Sequence, residues 1–360
     1  MTSIVNCCII EINGIVFRKS RLWRLERFDN MVTIKMVAKK AGVSPSTVSR
    51  TLSGKIPVAE STREKVLKAV KELDYYPNTL AKGLKEGKTN TIALIVPNIQ
   101  NRVFPDIAKG VEDVARKNEF TLILCNTDEN INVELEYIDK LKKRWVDGFI
   151  FATAVPESNH ILKLKQSGFP VVLVVRTLGD KVDAVAVDNF KASFDAVQYL
   201  IKTGHKRIAI INGSLDVSVY NQRFEGYKAA LEQEGIEFRN ELVIQGDNID
   251  NGLYSMVYSM LKRGINPDAI FATSDPKAII AMKAIKDFGL KVPDHISVVG
   301  FDNMDISMLV DPPLTTISQP LYEIGVLAAK KLITMIKNKK QEEPIIDILP
   351  TDLIIRKSTK

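Results

Sequence analysis

From Thr91 onward the apolar residues fall in short continuous runs: TIALIVP, FTLILCN, VDGFIFAT, FPVVLVV, RIAIING, DAIFAT and ISVVGFD. Runs of about four to eight apolar residues bounded by turn residues read as strands buried on both faces. Between them, amphipathic stretches at 104–118, 132–144, 190–203, 221–234, 251–263, 276–288 and 321–338 read as helices. Strand and helix alternating at these lengths predict parallel sheets covered on both faces. The chain is long enough for two such units. The first is expected over about 91–188 with 320–346, where the last helix returns to it. The second is expected over about 189–317 with 347–360, the tail ILPTDLIIRKS adding strands.

Before Thr91 the pattern is helical and short. Val37, Ala38 and Ala41 give one helix an apolar face. Gly42 supplies a turn, because glycine accepts φ > 0 without steric cost. Ser44 is placed to cap the next helix and Pro45 to take its first position. Val48 and Leu52 then face a core, while Ser46, Ser49 and Arg50 point away. A third helix over 59–73 brings Val66, Val70 and Leu73 onto one face and stops at Tyr76-Pro77. These make a small all-α head over 31–76. The segment 78–85, NTLAKGLK, falls below the ~12–15 residues at which a helix holds alone in water. It therefore reads as a hinge within a linker over 77–90.

Charge sharpens the division. Residues 31–90 hold 12 Lys and Arg against five acids, a net +7, and residues 91–360 sum to −2. The basicity belongs to the head, as a phosphate-binding module requires. No run approaches the ~20 apolar residues of a membrane helix, so no membrane partner is expected. Residues 1–30 are apolar first and basic afterwards, the reverse of a signal peptide. They read as an extension that is disordered or not native, with Met31 a candidate start. Three cysteines, Cys7, Cys8 and Cys125, form no disulfide framework, which points to the cytoplasm. Cys125 ends a strand and reads as a small buried hydrophobe.

The wording AGVSPSTVSR, followed by YYPNTLAKGLK, resembles the lac-repressor (LacI/GalR) family of bacterial transcription regulators, from about Val32 to the last residue. The resemblance implies a helix-turn-helix head on an α/β core of two doubly wound parallel-sheet subdomains, like a type I periplasmic binding protein. It implies a homodimer on palindromic double-stranded operator DNA. The matching DNA-contact positions are Thr33, Pro45, Ser46, Thr47, Ser49 and Arg50 in the head, and Asn78, Ala81, Leu84 and Lys85 in the hinge. Leu84 matches a leucine wedged into the minor groove, which kinks the duplex. Met36 stands where the family usually has Asp, and Lys82 where Arg is usual.

Ligands of such sheets bind beyond the carboxyl ends of the strands, here in a cleft between the two units. The polar or aromatic residues there are Phe104, Arg176, Arg223, Asp275, Asp302 and Gln319. By resemblance, Arg223, Asp302 and Gln319 match effector-contacting positions; Asp275 and Asp302 could equally cap helices. Family members often read Asp-Arg where this chain has Val175-Arg176. Two arginines and one missing carboxylate favour an effector with a negative group, a sugar acid or sugar phosphate, over a neutral sugar.

Other function classes fare worse. His160, His205 and His295 are isolated from any nucleophile or metal-ligand spacing, and no glycine-rich phosphate loop occurs. Neither an enzyme nor a cofactor or metal is expected. A solute receptor shares the core but needs a signal peptide and no basic head. A catabolite-control regulator answering to a phosphorylated carrier protein is similar in wording. However, Val310-Asp311-Pro312 sets an acid where those regulators carry a base. The reading favoured is a repressor of a carbohydrate-utilisation operon.

Overall fold

The computed structural model describes residues 9–12, 15–18, 32–54, 56–75, 88–143, 146–246, 252–338 and 343–360. It divides into two units, Met1–Glu86 and Gly87–Lys360. In the leading stretch, read above as an extension that is disordered or not native, β1 (Ile9–Ile12) and β2 (Ile15–Arg18) pair antiparallel. Their β-branched composition suits a strand.

Three helices build the head: α1 (Ile34–Ala41), α2 (Pro45–Ser53) and α3 (Glu60–Glu72). The Thr33 hydroxyl accepts from the Met36 N–H at 3.4 Å, so α1 is capped although its first turn holds no acid. Gly42 ends α1 at φ 68°, and its N–H returns to the Ala38 and Lys39 carbonyls. The Ser44 hydroxyl accepts from Thr47 N–H at 3.2 Å, with Pro45 opening α2. Val37, Ala38, Val48, Val66 and Ala69 form the core, and Leu52, Val70 and Leu73 pack around it. A Lys40–Glu72 ion pair at 2.8 Å ties α1 to α3.

The larger unit carries two six-stranded sheets. The first is wholly parallel: β3 (Thr91–Val96), β4 (Thr121–Asn126), β5 (Gly148–Phe151), β6 (Val171–Val174), β7 (Asp183–Val187) and a late strand, β13 (Ile346–Leu349). The second runs β8 (Ile208–Asn212), β9 (Val243–Gln245), β10 (Ala269–Ala272), β11 (Ser297–Asp302) and β12 (Thr315–Ser318), closed by antiparallel β14 (Asp352–Ile354). Strand order is β13-β7-β6-β5-β3-β4 in one and β14-β12-β11-β10-β8-β9 in the other.

Each strand feeds two cores because side chains alternate across the sheet. Ile92, Leu94 and Val96 enter the cluster under α4 (Val103–Lys117) and α12 (Leu321–Asn338). Ala93 and Ile95 enter the opposite one, under α5 (Ile131–Lys142) and α6 (Asn159–Gln166). Around the second sheet lie α7 (Asn189–Lys202) and α8 (Ser218–Gln233) on one face. The other face carries α9 (Gly252–Lys262) and α10 (Asp275–Asp287). A short α11 (Ile306–Leu309) follows β11. Cys125 is buried, which pushes its thiol up to about 11.

The chain crosses between lobes after β7, after β12 and between β13 and β14. The last crossing corrects the expected boundary. Asp347–Leu349 belong to the first lobe, since β13 pairs with β7, and only the following strand returns to the second. The elements α6, β7, β9 and β12 also lay outside the apolar runs. DAVAV is alanine-rich, TTIS is polar and VIQ is three residues long.

Candidate functional site

In the head, Pro45, Ser46, Ser49 and Arg50 are exposed on one side of α2, while Val48 is buried on the other. Thr33 is exposed and Thr47 half-buried. Thr33 and Ser44 cap successive helices, so the polar N-terminal end of α2 is rigidly presented. Lys35 and Lys39 add exposed positive charge on α1. A short capped helix with small polar residues and one Arg facing outward has the form that enters a major groove. The hinge candidates Asn78, Ala81, Leu84 and Lys85 lie outside the described residues.

In the core, three of the six predicted residues come together in one cluster on the second lobe. Arg223, in α8, is buried and lies 3.5 Å over the Phe301 ring. Its Nε donates to Asn189 Oδ1 at 2.9 Å and its Nη1 to the Thr273 carbonyl at 2.6 Å. Burial lowers its pKa, while Asp302 holds it up. Asp302 ends β11 at φ 117°, and Asn303 follows at φ 58°. Non-glycine residues in this region carry backbone strain, which concentrates at functional sites. Gln319 Nε2 donates to Asp302 Oδ1 at 2.7 Å.

The remaining predicted residues are placed differently. Asp275 is fully buried, and its carboxylate accepts from Met304 N–H at 2.8 Å and from the Ser307 and Thr316 hydroxyls. It locks the loop after β11 and has no surface to offer a ligand, so its role is structural. Phe104 does not stand open for stacking; it is 5% exposed and shares the first lobe's apolar cluster with Met304. Arg176 is also committed. It makes a bidentate pair with Glu129 at 2.6 and 3.2 Å and a bond to the Thr153 carbonyl at 3.3 Å. Val175 before it sits at φ 67°, a strained position for a β-branched residue. Glu129 thus supplies the carboxylate that appeared to be missing, and Arg176 no longer argues for an acidic ligand. A cavity of about 230 Å3 opens at the first lobe crossing, bordered by Thr177, Asp188, Phe190, Ser218 and Gln222 from both lobes.

Sequence reasoning missed Glu129, Asn189, Asn212 and Lys277. The signal for Lys277 was present: it is a lone cation among Ala278, Ala281, Met282 and Ile285 on the buried face of α10. The histidines are tied structurally. His205 bridges the Leu200 carbonyl and the Ser297 hydroxyl at 2.9 Å each, and His160 pairs with buried Glu134.

Burial pushes the Asp302 carboxyl up to about 7, against the opposing pull of Arg223. A folded-state pKa above the ordinary carboxylate value means the folded chain holds this proton more tightly than the unfolded chain. The stabilisation is full below pH ~4 and is lost as pH rises through about 7. Thermal denaturation of Asp302→Asn beside wild type should therefore show the difference moving in the variant's favour between pH 4 and pH 8. The expected size is on the order of a few kcal/mol. A difference independent of pH would remove Asp302 as the titrating group.

A basic reading head on a two-lobed binding core defines a ligand-regulated DNA-binding protein. The comparisons agree. Residues 33–78 match the model for bacterial regulatory proteins of the lacI family. Residues 89–357 match that for periplasmic binding proteins and the sugar binding domain of the LacI family. The chain is 38% identical over 332 residues to catabolite control protein A of Priestia megaterium, covering 91% of this chain and 99% of that protein. It is 37% identical to the ribose operon repressor of Halalkalibacterium halodurans, covering 92% and 98%. Among solved structures it resembles the lac repressor dimer bound to operator and the anti-inducer ONPF. The TM-score is 0.83 at 25% identity, over 91% of this chain and 99% of that one. The chain belongs to the LacI family of transcriptional regulators.

Proposed function

We propose that this protein is a cytoplasmic repressor of carbohydrate-utilisation genes that binds a palindromic operator as a homodimer. A small sugar-type effector in the cleft between the lobes controls it. The observation that carries the reading is the capped, outward-facing N-terminal end of α2 in a basic head, joined to a core whose strand-end polar groups converge on Arg223 and Asp302. The ribose operon repressor supports a sugar as effector, and the operator-bound lac repressor dimer supports paired binding. Exposed apolar side chains supply faces for a second copy: Leu124, Ile131 and Leu135 on the first lobe, and Ile306, Met308 and Leu309 on the second. Burying them in a dimer removes apolar surface from water. In this reading the hinge, with Leu84, folds on DNA, and lobe movement sets the hinge spacing. The ligand shifts DNA affinity by at most its differential affinity for the two states.

A catabolite-control role has the 38% identity to catabolite control protein A behind it. Exposed Asp311 opposes that role, since it sets negative charge where a phosphorylated partner would meet a base.

The test is base reading. Arg50→Ala should lose roughly 1–3 kcal/mol on the operator and less on scrambled DNA. Lys39→Ala, meeting only phosphate, should weaken both alike. Quantitative gel shifts on the two duplexes decide; equal losses for Arg50→Ala on both would overturn the assignment.

A further inference from the structure

Met304 belongs to the second lobe by its backbone and to the first by its side chain. It follows β11, and its N–H donates to Asp275 Oδ2 at 2.8 Å. Its side chain is buried in the apolar cluster of Val103, Phe104, Ile107 and Leu321, whose other described members all come from the first lobe. Besides the three chain crossings, the lobes are thus joined here by packing. The turn that carries Met304 is held from behind. Asp302 and Asn303 have φ of 117° and 58°, a conformation that non-glycine residues keep only where their surroundings enforce it. Asn303 Nδ2 donates to Ser318 Oγ at 3.1 Å, and its Oδ1 accepts from Arg356 Nη2 at 2.6 Å. The turn is therefore the rigid side of the joint, and the packing of Met304 is the side that can part.

Charge works against that packing. Asp305 follows Met304, Asp106 stands two residues beyond Phe104 in α4, and both are exposed. Burial pushes the Asp106 carboxyl up, the charge of Asp305 adds to the push, and Arg102 opposes it. We propose that the turn 302–305 is a latch between the lobes: Met304, seated in the Phe104 cluster, holds them in the arrangement of this structure, and the carboxylates of Asp106 and Asp305 work to part them. Met304 acts here as a positioning residue, through packing alone. Packed contacts of this kind have discrete arrangements rather than a continuous range. Release frees the lobes to rotate, and operator affinity follows the equilibrium between the two states. That last link rests on the reading of lobe movement as the regulatory step.

The test uses the full chain. Hydrogen exchange read by mass spectrometry reports the latch without ligand or DNA. Met304→Ala empties the seat and should speed exchange over 103–108 by roughly tenfold. Exchange over 131–142, which packs on the opposite face of the sheet, should keep the wild-type rate. Asp305 makes no capping bond, so Asp305→Asn removes one opposed charge and little else. It should slow exchange over 103–108 by about twofold at low ionic strength, an effect that fades as salt screens the pair. Met304→Leu refills the seat and should restore the wild-type rate. Operator affinity is then measured by gel shift on a duplex that the wild-type chain selects from a random pool. Met304→Ala should change it by at least roughly fivefold, and Met304→Leu should leave it unchanged. The proposal is overturned if Met304→Ala leaves exchange over 103–108 unchanged, or speeds it everywhere alike. It is also overturned if Asp305→Asn moves exchange in the same direction as Met304→Ala. Local release with unaltered operator affinity overturns it too, because the latch then governs nothing. Failure of the wild type to retard any duplex sinks the regulator instead, and exchange alone then judges the latch.

Discussion

Arg223→Ala should cost the core about 3–5 kcal/mol, the penalty for breaking a buried charged network by removing one partner. The loss has identifiable parts. Asn189 Oδ1 and the Thr273 carbonyl each lose a charge-assisted donor, and Phe301 loses the guanidinium on its face. Asp302 loses the one charge that pulls hardest toward its ionised form. Asn189 opens α7 immediately after the first lobe crossing, so the same bond links the polar cluster to the joint between lobes. Arg223→Lys keeps the charge but not the planar fork and should lose less stability. It should still blunt the effector response in the proposed reading, because the fork is what holds Asn189 and the Thr273 carbonyl together. Urea denaturation of both variants, with gel shifts in the presence of ligand, reads the two effects separately. A loss below about 1 kcal/mol for Arg223→Ala would mean that the network is dispensable.

Gly325→Ala should be nearly as damaging, although it adds one methyl group. A Cβ at Gly325 would fall well inside van der Waals contact with the Ile107 carbonyl oxygen, and one at Gly110 would meet the Tyr322 carbonyl in the same way. Both obstacles are backbone, so α4 and α12 can only move apart. That opens the cluster holding Ile107, Val111, Ile324, Ala328 and Ala329, all now closed to water. Overpacking costs about 1–3 kcal/mol and occasionally more, and a backbone clash belongs at the upper end. Since α12 starts just after the second lobe crossing, effector response should fall with stability. An unchanged denaturation midpoint would show that the two helices do not approach so closely.

How much was legible varies by element, for physical reasons. The head could be read almost residue by residue, because caps and turns are local. Thr33, Gly42, Ser44 and Pro45 act within four residues of their own positions. Apart from α6 and α11, which were missed, the core helices were placed to within a few residues, since buried runs and 3.6-residue periodicity are local too. The polar wall was legible only in part. Arg223, Asp302 and Gln319 were found at strand ends and do gather. Asp275, Phe104 and Arg176 also sit at strand ends, yet each is engaged elsewhere. Position along a strand says which end a side chain occupies, not which partner claims it.

The sequence by itself determined the class of this protein: a basic helical head, an α/β core of two lobes, and membership of the LacI family. The head and the core follow from periodicity, charge division and cap chemistry, all short-range along the chain, and the family from the wording of its motifs, AGVSPSTVSR and YYPNTLAKGLK. Only the tertiary structure decided that Glu129, 47 residues away, neutralises Arg176. It alone closed Asp275 into the fold through Ser307 and Thr316, 32 and 41 residues on. It also gave β13 to the first lobe and brought Lys277 and Asn212 together about Tyr220. Each of these is a charge or hydrogen-bond pairing between segments far apart in sequence. Such pairings depend on sheet order and helix packing, for which no local pattern of residues is a proxy.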